Sequence, residues 1–188
     1  MPDASFLMSD TARQLIRMEL EFDRANHDVT SDAVVPEEAT ATGRYVTRQP
    51  GVASGLDLIR LVFEEVDPDV EMQFETKDGE PIREGEVMAT VHGPARSILS
   101  GERTSLNFVS LLSGVATATR RFVDAVEGTR AKIYDTRKTI PGLRELQKYA
   151  VRCGGGFNHR MSLGDQVLVK ANHLSLAHRD PDEIGELA

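Results

Sequence analysis

The chain has 188 residues, of which 40% are hydrophobic, and its 22 Lys and Arg against 30 Asp and Glu give a net charge of −8. This length suits one domain or two small ones with a real core, and the composition excludes a wholly disordered chain. The acidic balance argues against general nucleic-acid binding, which needs an excess of Lys and Arg. No apolar run approaches the roughly 20 residues of a membrane span, and the single cysteine, Cys153, fits a reducing cytoplasm.

The first half of the chain predicts a small α/β layer structure with an antiparallel sheet. Ser9 or Asp10 can cap a helix that runs to about residue 24, and a polar, turn-rich stretch follows. Alternating or apolar runs then predict three strands and one short buried helix. In chain order these are a strand at residues 39–48, the helix at 56–65, and strands at 70–76 and 87–92.

After Pro94 the pattern changes to longer helices and short strands. We predict a helix at residues 97–112, a break at Ser113-Gly114, and a second helix at residues 116–126. A β/α repeat follows, because the order is strand, helix and a further buried strand, at residues 131–134, 143–149 and 167–169. Polar residues cluster after these strands, so we expect a site at the carboxyl ends of the strands.

Positive charge is concentrated in one part of the chain. Residues 136–170 hold seven basic residues but only two acids, so this segment carries +5 and the remainder −13. A basic segment in an acidic chain favours a site for a small, highly charged anion. The alternative is a solvated helix face formed by Arg144, Lys148 and Arg152, which recur every four residues. We adopt that alternative for at least two of these three.

The strongest local signal is the run Asp135-Thr136-Arg137-Lys138-Thr139, directly after a predicted strand. Its two cations and its hydroxyls can hold a carboxylate or a phosphate through charge-assisted hydrogen bonds. The planar arginine fork suits a carboxylate, whereas the lysine offers a compact charge. The residues alone leave open a second interpretation, a surface loop in which Asp135 pairs with Lys138.

Three further features follow along the chain. The triple glycine at residues 154–156 can let the backbone approach an anion, or it can simply form a turn. His159-Arg160 can bind an anion, although a lone histidine is more often structural. Lys170 follows the predicted buried strand and needs an anionic partner, which a bound anion would supply, because an unpaired buried ammonium is costly.

Several longer motifs occur in one fixed order along the chain. The first half has Asp-Val-Thr at 28–30 and Gly-Val-Ala-Ser-Gly at 51–55. The second half has Glu-Arg-Thr-Ser-Leu-Asn at 102–107, Leu-Ser-Gly-Val-Ala-Thr at 112–117, Asp-Thr-Arg-Lys-Thr-Ile-Pro-Gly-Leu-Arg at 135–144, Lys-Tyr-Ala-Val-Arg-Cys-Gly-Gly-Gly at 148–156 and Asn-His-Arg at 158–160. Together these motifs resemble the quinolinate phosphoribosyltransferases, also called carboxylating nicotinate-nucleotide pyrophosphorylases. The resemblance covers nearly the whole chain.

The resemblance implies both a fold and a reaction. The fold is an α+β N-terminal layer domain with an antiparallel sheet and a linking helix, at residues 1–112, followed by the first part of a β/α barrel, at residues 113–188. The reaction transfers a phosphoribosyl group from phosphoribosyl pyrophosphate to quinolinate with decarboxylation. It gives nicotinate mononucleotide, pyrophosphate and CO2 in de novo NAD synthesis. Mg2+ is expected to come with phosphoribosyl pyrophosphate, and its protein ligands are expected to lie outside this chain.

The same resemblance implies the site residues and the partners. The substrate-binding positions are Arg103, Thr136, Arg137, Lys138, His159, Arg160 and Lys170, and Lys138 and Lys170 are assigned to catalysis. In the family the arginine at the position of Arg103 is donated across a dimer interface, which implies a homodimer with composite sites. Both substrates are polyanions, so the basic segment agrees with these positions. No nucleic acid and no membrane is expected as a partner.

Two features depart from the family pattern. Ala171 stands where the family usually has an aspartate after the lysine. A β/α unit takes about 30 residues, so residues 113–188 hold roughly two to three of the eight units of a barrel. We therefore expect a C-terminally truncated chain that is inactive alone.

Two other interpretations stay open. The first keeps the same fold: a phosphoribosyltransferase-like paralogue, or an inactive fragment, that binds another small anion. In a different class, the hairpin at residues 77–87 resembles those of biotinyl-carrier domains, but it lacks the carrier lysine at the turn.

Overall fold

The computed structural model of the chain describes residue 7 and residues 9–177. These residues form helices and strands in the order α1 (Asp10–Phe22), α2 (Val29–Val34), β1 (Thr40–Val46), β2 (Gly51–Val52), α3 (Leu56–Val66), β3 (Glu71–Phe74), β4 (Pro81–Ile82), β5 (Val87–Pro94), α4 (Ala95–Ala125), α5 (Arg144–Cys153) and α6 (Ala171–Ala177). Of the helices in this described part, none combines the length and the apolar character needed to cross a membrane. The predicted domains extend beyond the described residues at both ends.

A three-stranded antiparallel sheet in the order β1-β5-β3 confirms the predicted N-terminal layer. β5 is central, and its His92 pairs with Glu71 of β3. The register of β1 shifts between Tyr45 and Val46. Side chains alternate along this strand, so Tyr45 is buried whereas Val46 is about half exposed. β2 and β4 form a separate ladder, which the alternation pattern could not predict because each strand has only two residues.

Helix α3 joins the two halves of the hydrophobic core, and it confirms the predicted buried helix. Six of its eleven residues are buried. Ile59 and Phe63 pack with residues of the sheet, whereas Leu58 and Leu61 pack with α1, α4 and α5. α4 comes close because Gly101 has no side chain, and a Cβ there would lie 2.6 Å from the ring of Phe63. The layer therefore has a continuous core.

Helix α4 runs without interruption through residues 113 and 114, so the predicted break there is wrong. One glycine costs a helix only about 1 kcal/mol relative to alanine, and burial of Leu112 and Ala116 on either side outweighs that cost. Ser113 also fixes the helix to the layer, since its Oγ accepts a hydrogen bond from Ser54 N at 3.1 Å. The predicted domain boundary falls inside this helix, and the division itself stays a prediction.

After α4 the chain contains less regular structure than its sequence predicts. The strand expected at residues 131–134 is reduced to one parallel bridge, between Tyr134 and Phe157. The strand expected at residues 167–169 is wrong, because that run has no strand partner in the described part of the chain and Val167 is 84% exposed. An apolar run becomes a buried strand only where neighbouring strands satisfy its backbone groups.

Candidate active site

The predicted anion-binding run, residues 135–139, follows the bridge at Tyr134 and forms a tight turn. The Oγ1 of Thr136 accepts a hydrogen bond from the backbone N of Lys138 at 3.0 Å, and both residues are exposed. The Nε of Arg137 is buried and has no hydrogen-bond partner among the described residues. A buried donor left unpaired costs about 1–3 kcal/mol. A carboxylate or phosphate oxygen bound at Arg137 would remove that cost.

A buried lysine holds the end of this first strand. Lys148 on α5 is 1% exposed, and its ammonium forms an ion pair with the nearly buried carboxylate of Asp135. The same ammonium donates to the backbone oxygen of His159 at 2.9 Å. Asp135 therefore pairs with Lys148 rather than with Lys138. Lys148 is also not part of a solvated helix face, so of the three residues in that interpretation only Arg144 and Arg152 remain.

Asp135 also binds the second strand end, so the two ends lie side by side. Its Oδ1 accepts a hydrogen bond from the backbone N of His159 at 2.9 Å, and its Oδ2 accepts one from Asn158 Nδ2 at 2.6 Å. The backbone N of Arg160 donates to Nδ1 of His159 at 2.8 Å. In the neutral ring, Nδ1 is therefore the acceptor, and Nε2 carries the proton. His159 thus offers a hydrogen-bond donor beside Arg160.

Arg160 lies at the wall of a cavity of about 430 Å3 that it forms with residues 163–169 and His173. It is 8% exposed, and its Nη1 donates to the backbone oxygen of Gln166 at 2.9 Å. The nearby Asp165 is bonded within its own loop: the hydroxyl of Ser162 donates to it at 2.7 Å, and this bond is the main cause of a lowered pKa of Asp165. Asp165 lines the same cavity but forms no direct ion pair with Arg160 among the described residues, because its oxygens accept hydrogen bonds from Met161 and Ser162.

Most cations of the basic segment have no carboxylate partner in the part of the chain that the structure describes. Within residues 136–170, the ion pair formed there is that of Lys148 with Asp135. Arg144 and Arg152 donate to backbone carbonyl oxygens instead, each at 3.3 Å. The predicted substrate-binding cations therefore keep their charge for an anion. These are Arg137, Lys138, Arg160 and Lys170.

The triple glycine brings α5 close to α4. A Cβ at Gly154 would lie 2.5 Å from the carbonyl oxygen of Ala116, and one at Gly156 would lie 2.9 Å from the side chain of Thr119. Gly155 has a φ of 87° in the turn that ends α5, a conformation that favours glycine. Of the two interpretations of this motif, the structure favours the turn, and close helix packing explains the neighbouring glycines.

Lys170 is exposed rather than placed at the end of a buried strand. Its backbone N does not pair with a strand among the described residues. It donates a hydrogen bond to Nδ1 of His173 at 3.0 Å, at the start of α6. The expectation of a buried ammonium that needs an anion is therefore wrong for the described structure, because the apolar run before Lys170 is itself exposed. Its assignment to catalysis stays a prediction.

Arg103 lies on α4 at a second cleft, of about 910 Å3, between this helix and β1. Its side chain is 66% exposed and only loosely placed near Glu102, at 4.0 Å. Three further arginines line the same cleft, namely Arg44, Arg48 and Arg121. None of the residues that line this cleft lines the cavity at Arg160. Within the described part of one chain, the cleft at Arg103 and the cavity at Arg160 are therefore separate.

Comparison with known proteins decides the family. The model described as quinolinate phosphoribosyl transferase, N-terminal domain, matches residues 28–113, and that of the C-terminal domain matches residues 115–182. The chain belongs to the quinolinate phosphoribosyl transferase family. A nicotinate-nucleotide pyrophosphorylase (carboxylating) of Mycobacterium leprae (strain TN) is 49% identical over 169 residues, which cover 88% of this chain and 60% of that protein. A probable nicotinate-nucleotide pyrophosphorylase (carboxylating) of Bacillus subtilis (strain 168) is 44% identical over 148 residues, covering 79% of this chain and 51% of that protein.

A solved structure shows the same relationship. The nicotinate-nucleotide pyrophosphorylase from Francisella tularensis matches with a TM-score of 0.85 at 37% identity, covering 94% of this chain and 63% of that chain. The chain thus spans about half to two thirds of the length of these relatives. The match confirms the predicted fold class, a layer domain with an antiparallel sheet followed by the first part of a β/α barrel.

Side chains that could hold Mg2+ do not come together in the described part of this chain. No group of three or more His, Cys, Asp or Glu side chains there surrounds a common point. Asp135 and Asp165 already accept hydrogen bonds or an ion pair from protein groups. The described residues do not fit a metal held by protein ligands. That Mg2+ comes with phosphoribosyl pyrophosphate stays a prediction.

Proposed function

We propose that this chain supplies the anion-binding strand ends of a quinolinate phosphoribosyltransferase. In the proposed reaction the ring nitrogen of quinolinate bonds to the ribose carbon of phosphoribosyl pyrophosphate as pyrophosphate leaves. One carboxylate is then lost as CO2, and the ring carbon that keeps the bonding electron pair takes a proton from solvent, which gives nicotinate mononucleotide. Because the chain spans 60% of a curated relative, the proposal assigns binding to these residues and the complete reaction to the fold of which they are part.

The observation that carries the proposal is a pair of adjacent strand ends whose cations have no carboxylate partner in the described chain. Arg137 has a buried, unpaired Nε, and Arg160 is 8% exposed with one carbonyl partner. Quinolinate carries two carboxylates on a flat ring, and two arginine forks are the groups that bind carboxylates with fixed geometry. His159, which directly precedes Arg160 in the sequence, adds its Nε2–H as a further hydrogen-bond donor.

The proposed chemistry is electrostatic and positional. As pyrophosphate departs, positive charge develops on the ribose and negative charge on the leaving oxygens. Lys138 and Lys170 are assigned to those oxygens, with Thr136 as a hydroxyl donor, so that charge is stabilised where it forms. The arginines hold the ring nitrogen near the ribose carbon, which converts an encounter of two anions into a reaction within one complex.

We also propose a homodimer in which Arg103 enters the site of the partner subunit. The support is that Arg103 is 66% exposed, lies in a cleft with three other arginines, and does not line the cavity at Arg160 in the described part of its own chain. The proposed compartment is the cytoplasm, where a buried free thiol such as Cys153 stays reduced.

Calorimetric titration with quinolinate tests the binding assignment. We expect Arg137→Ala and Arg160→Ala to lose the heat of quinolinate binding while their circular dichroism stays unchanged. Arg130→Ala, an exposed arginine outside the basic segment, serves as the matched control and should bind like the unmodified chain. Unchanged affinity in both site variants would refute the assignment. Binding of inorganic phosphate without quinolinate would instead favour the paralogue that binds another anion.

Mixing two defective variants tests the composite site. Arg103→Ala and Arg137→Ala each lack one contribution to every site, but a mixed dimer contains one site with both arginines intact. Random reassortment should therefore restore roughly a quarter of the sites. If the mixture binds no more quinolinate than either variant alone, Arg103 does not act across an interface.

A further inference from the structure

Lys148 is a deeply buried charge to which the proposed reaction gives no task. It is 1% exposed, whereas the guanidinium-bearing Arg160 is 8% exposed. An ammonium removed from water is stable only when it is paired and hydrogen-bonded. The carboxylate of Asp135 and the backbone oxygen of His159 supply that compensation. The reason for burying a lysine here must therefore be sought in what Asp135 does.

Asp135 replaces strand pairing that the backbone does not provide. Parallel bridging between the two strand ends is limited to Tyr134 and Phe157. Beyond that bridge, Asp135 accepts the backbone N of His159 at 2.9 Å and the amide of Asn158 at 2.6 Å. The same amide donates to the backbone oxygen of Lys148 at 2.8 Å. One carboxylate thus holds together the first strand end, the second strand end and helix α5.

This carboxylate lies close in sequence to cations that must stay available. Arg137 and Lys138 follow Asp135 by two and three residues, and a buried carboxylate without a counter-ion would draw one of them in. We propose that Lys148 is a positioning residue that neutralises Asp135, so that Arg137 and Lys138 remain free for the substrate anion. The inference rests on the proposed function, because it explains how a site for polyanions tolerates an aspartate.

The test compares Lys148→Met with the double variant Asp135→Asn/Lys148→Met in the 188-residue chain. In Lys148→Met the unpaired carboxylate captures Arg137 or Lys138, so quinolinate affinity measured by calorimetry should fall by about ten- to a hundredfold. The double variant has no buried charge. Its amide oxygen still accepts from His159 N, and it loses only the hydrogen bond from Asn158, because its own amide nitrogen cannot accept. Its affinity should return to within a few-fold of the unmodified chain. Lys77→Met, at an exposed lysine of the layer, is the matched control and should change nothing.

Hydrogen exchange provides a second measurement that needs no ligand. When Asp135 turns toward Arg137 or Lys138, the backbone N of His159 loses its acceptor. Its exchange should therefore become at least about tenfold faster in Lys148→Met, return to normal in the double variant, and leave the amides of α3 unchanged.

Each outcome decides the inference. Unchanged binding and unchanged His159 exchange in Lys148→Met overturn it. A double variant as weak as the single one also overturns it, because Lys148 then acts only by packing. If Lys148→Met does not fold, the double variant decides alone: normal folding and binding support the inference, and weak binding refutes it. If the unmodified chain binds no quinolinate, the proposed function fails, and the exchange of His159 still tests the role of Lys148.

Discussion

The N-terminal layer with α4 and α5 differs from residues 161–177 in how its apolar side chains are placed. Every member of the two core clusters lies between Leu7 and Cys153, and Leu61 is fully buried. In the later segment Leu163, Val167 and Leu176 are 71%, 84% and 81% exposed. The layer is held by long-range packing, whereas the later segment is held by local bonds such as those to Asp165. Exposed apolar side chains at this density normally require a covering surface.

The candidate site spans the border between these two regions. The strand ends with Arg137 and His159 are anchored to the packed region through Asp135 and α5. Lys170 lies in the later segment, where it is exposed. The packed region therefore contributes arginines on strand ends that Asp135 holds in place. The later segment contributes Lys170, which is exposed. This contrast can be tested by substitutions matched across the border.

The largest expected effect comes from truncating matched leucines. Leu61→Ala removes a fully buried side chain from α3 and should lower the free energy of unfolding by about 2–5 kcal/mol. Leu163→Ala makes the same chemical change at a side chain that is 71% exposed and should stay within about 0.5 kcal/mol. Urea unfolding followed by circular dichroism measures both. A comparable loss in Leu163→Ala would mean that residues 161–177 belong to the cooperative core.

Two glycines on either side of one helix contact give the next effect. Gly154→Ala places a Cβ 2.5 Å from the carbonyl oxygen of Ala116, so α5 must move away, at a cost of about 2–3 kcal/mol. Gly114→Ala, within α4, meets no atom within 4 Å and should stabilise the helix by about 0.5–1 kcal/mol. Thermal unfolding should show shifts of opposite sign. Equal shifts would mean that the α4–α5 contact is not tight.

The packed region is also the part of the fold that sequence patterns predict well. Alternation and apolar clustering identified the main strands and α3, because an element buried on one face has apolar residues at regular spacing in the sequence. The break expected at Ser113-Gly114 failed, since a local glycine signal does not include the burial of Leu112 and Ala116 that continues the helix. The strand expected at residues 167–169 failed for the opposite reason: its pattern is apolar, but no partner strand covers it in the described chain.

The site was predictable in its residue types but not in its pairing. Charge and position after a strand indicated Arg137, Lys138 and Arg160, which the structure leaves without carboxylate partners among the described residues. Lys148 was missed because its four-residue spacing matched a solvated helix face. Its neighbours Leu146, Tyr149 and Ala150 are buried, and a lysine within such a face was the available signal. Which carboxylate it meets depends on tertiary contacts that no local pattern contains.

A hydroxyl that joins the layer to α5 gives a smaller expected effect. Tyr149 donates to Asp78 at 2.8 Å, and Asp78 in turn accepts the backbone N of Gly55 at the start of α3. Burial raises the pKa of Tyr149, so the phenol stays a donor. Tyr149→Phe should therefore cost about 1.5 kcal/mol in urea unfolding. The control is Tyr134→Phe, at a tyrosine that is 51% exposed, and it should cost almost nothing. A null effect in Tyr149→Phe would mean that α5 is not held through this bond.

The smallest effect concerns two carboxylates, one in each region, that both have a lowered pKa. Arg17 donates to Glu65 at 2.7 Å and is the main cause of its lowered pKa, with Arg13 contributing at 3.1 Å. A carboxyl whose pKa is lower in the folded state adds stability above its unfolded pKa and loses it as the pH falls through the folded one. Glu65→Gln should therefore cost at most about 1 kcal/mol at pH 7. That cost should shrink as the pH falls below the ordinary pKa of a glutamate and vanish once the pH is below the lowered pKa of the folded state.

Asp165 provides the matched carboxylate in the exposed segment, with its pKa lowered mainly by the Ser162 hydroxyl. If residues 161–177 open without unfolding the layer, Asp165→Asn leaves the pH dependence of global unfolding unchanged, because its bonds close only its own loop. Urea unfolding at pH 7 and pH 3 measures both variants. If Asp165→Asn alters the pH dependence of unfolding as much as Glu65→Gln does, the two regions unfold as one cooperative unit. That result would contradict the separation inferred from their different burial.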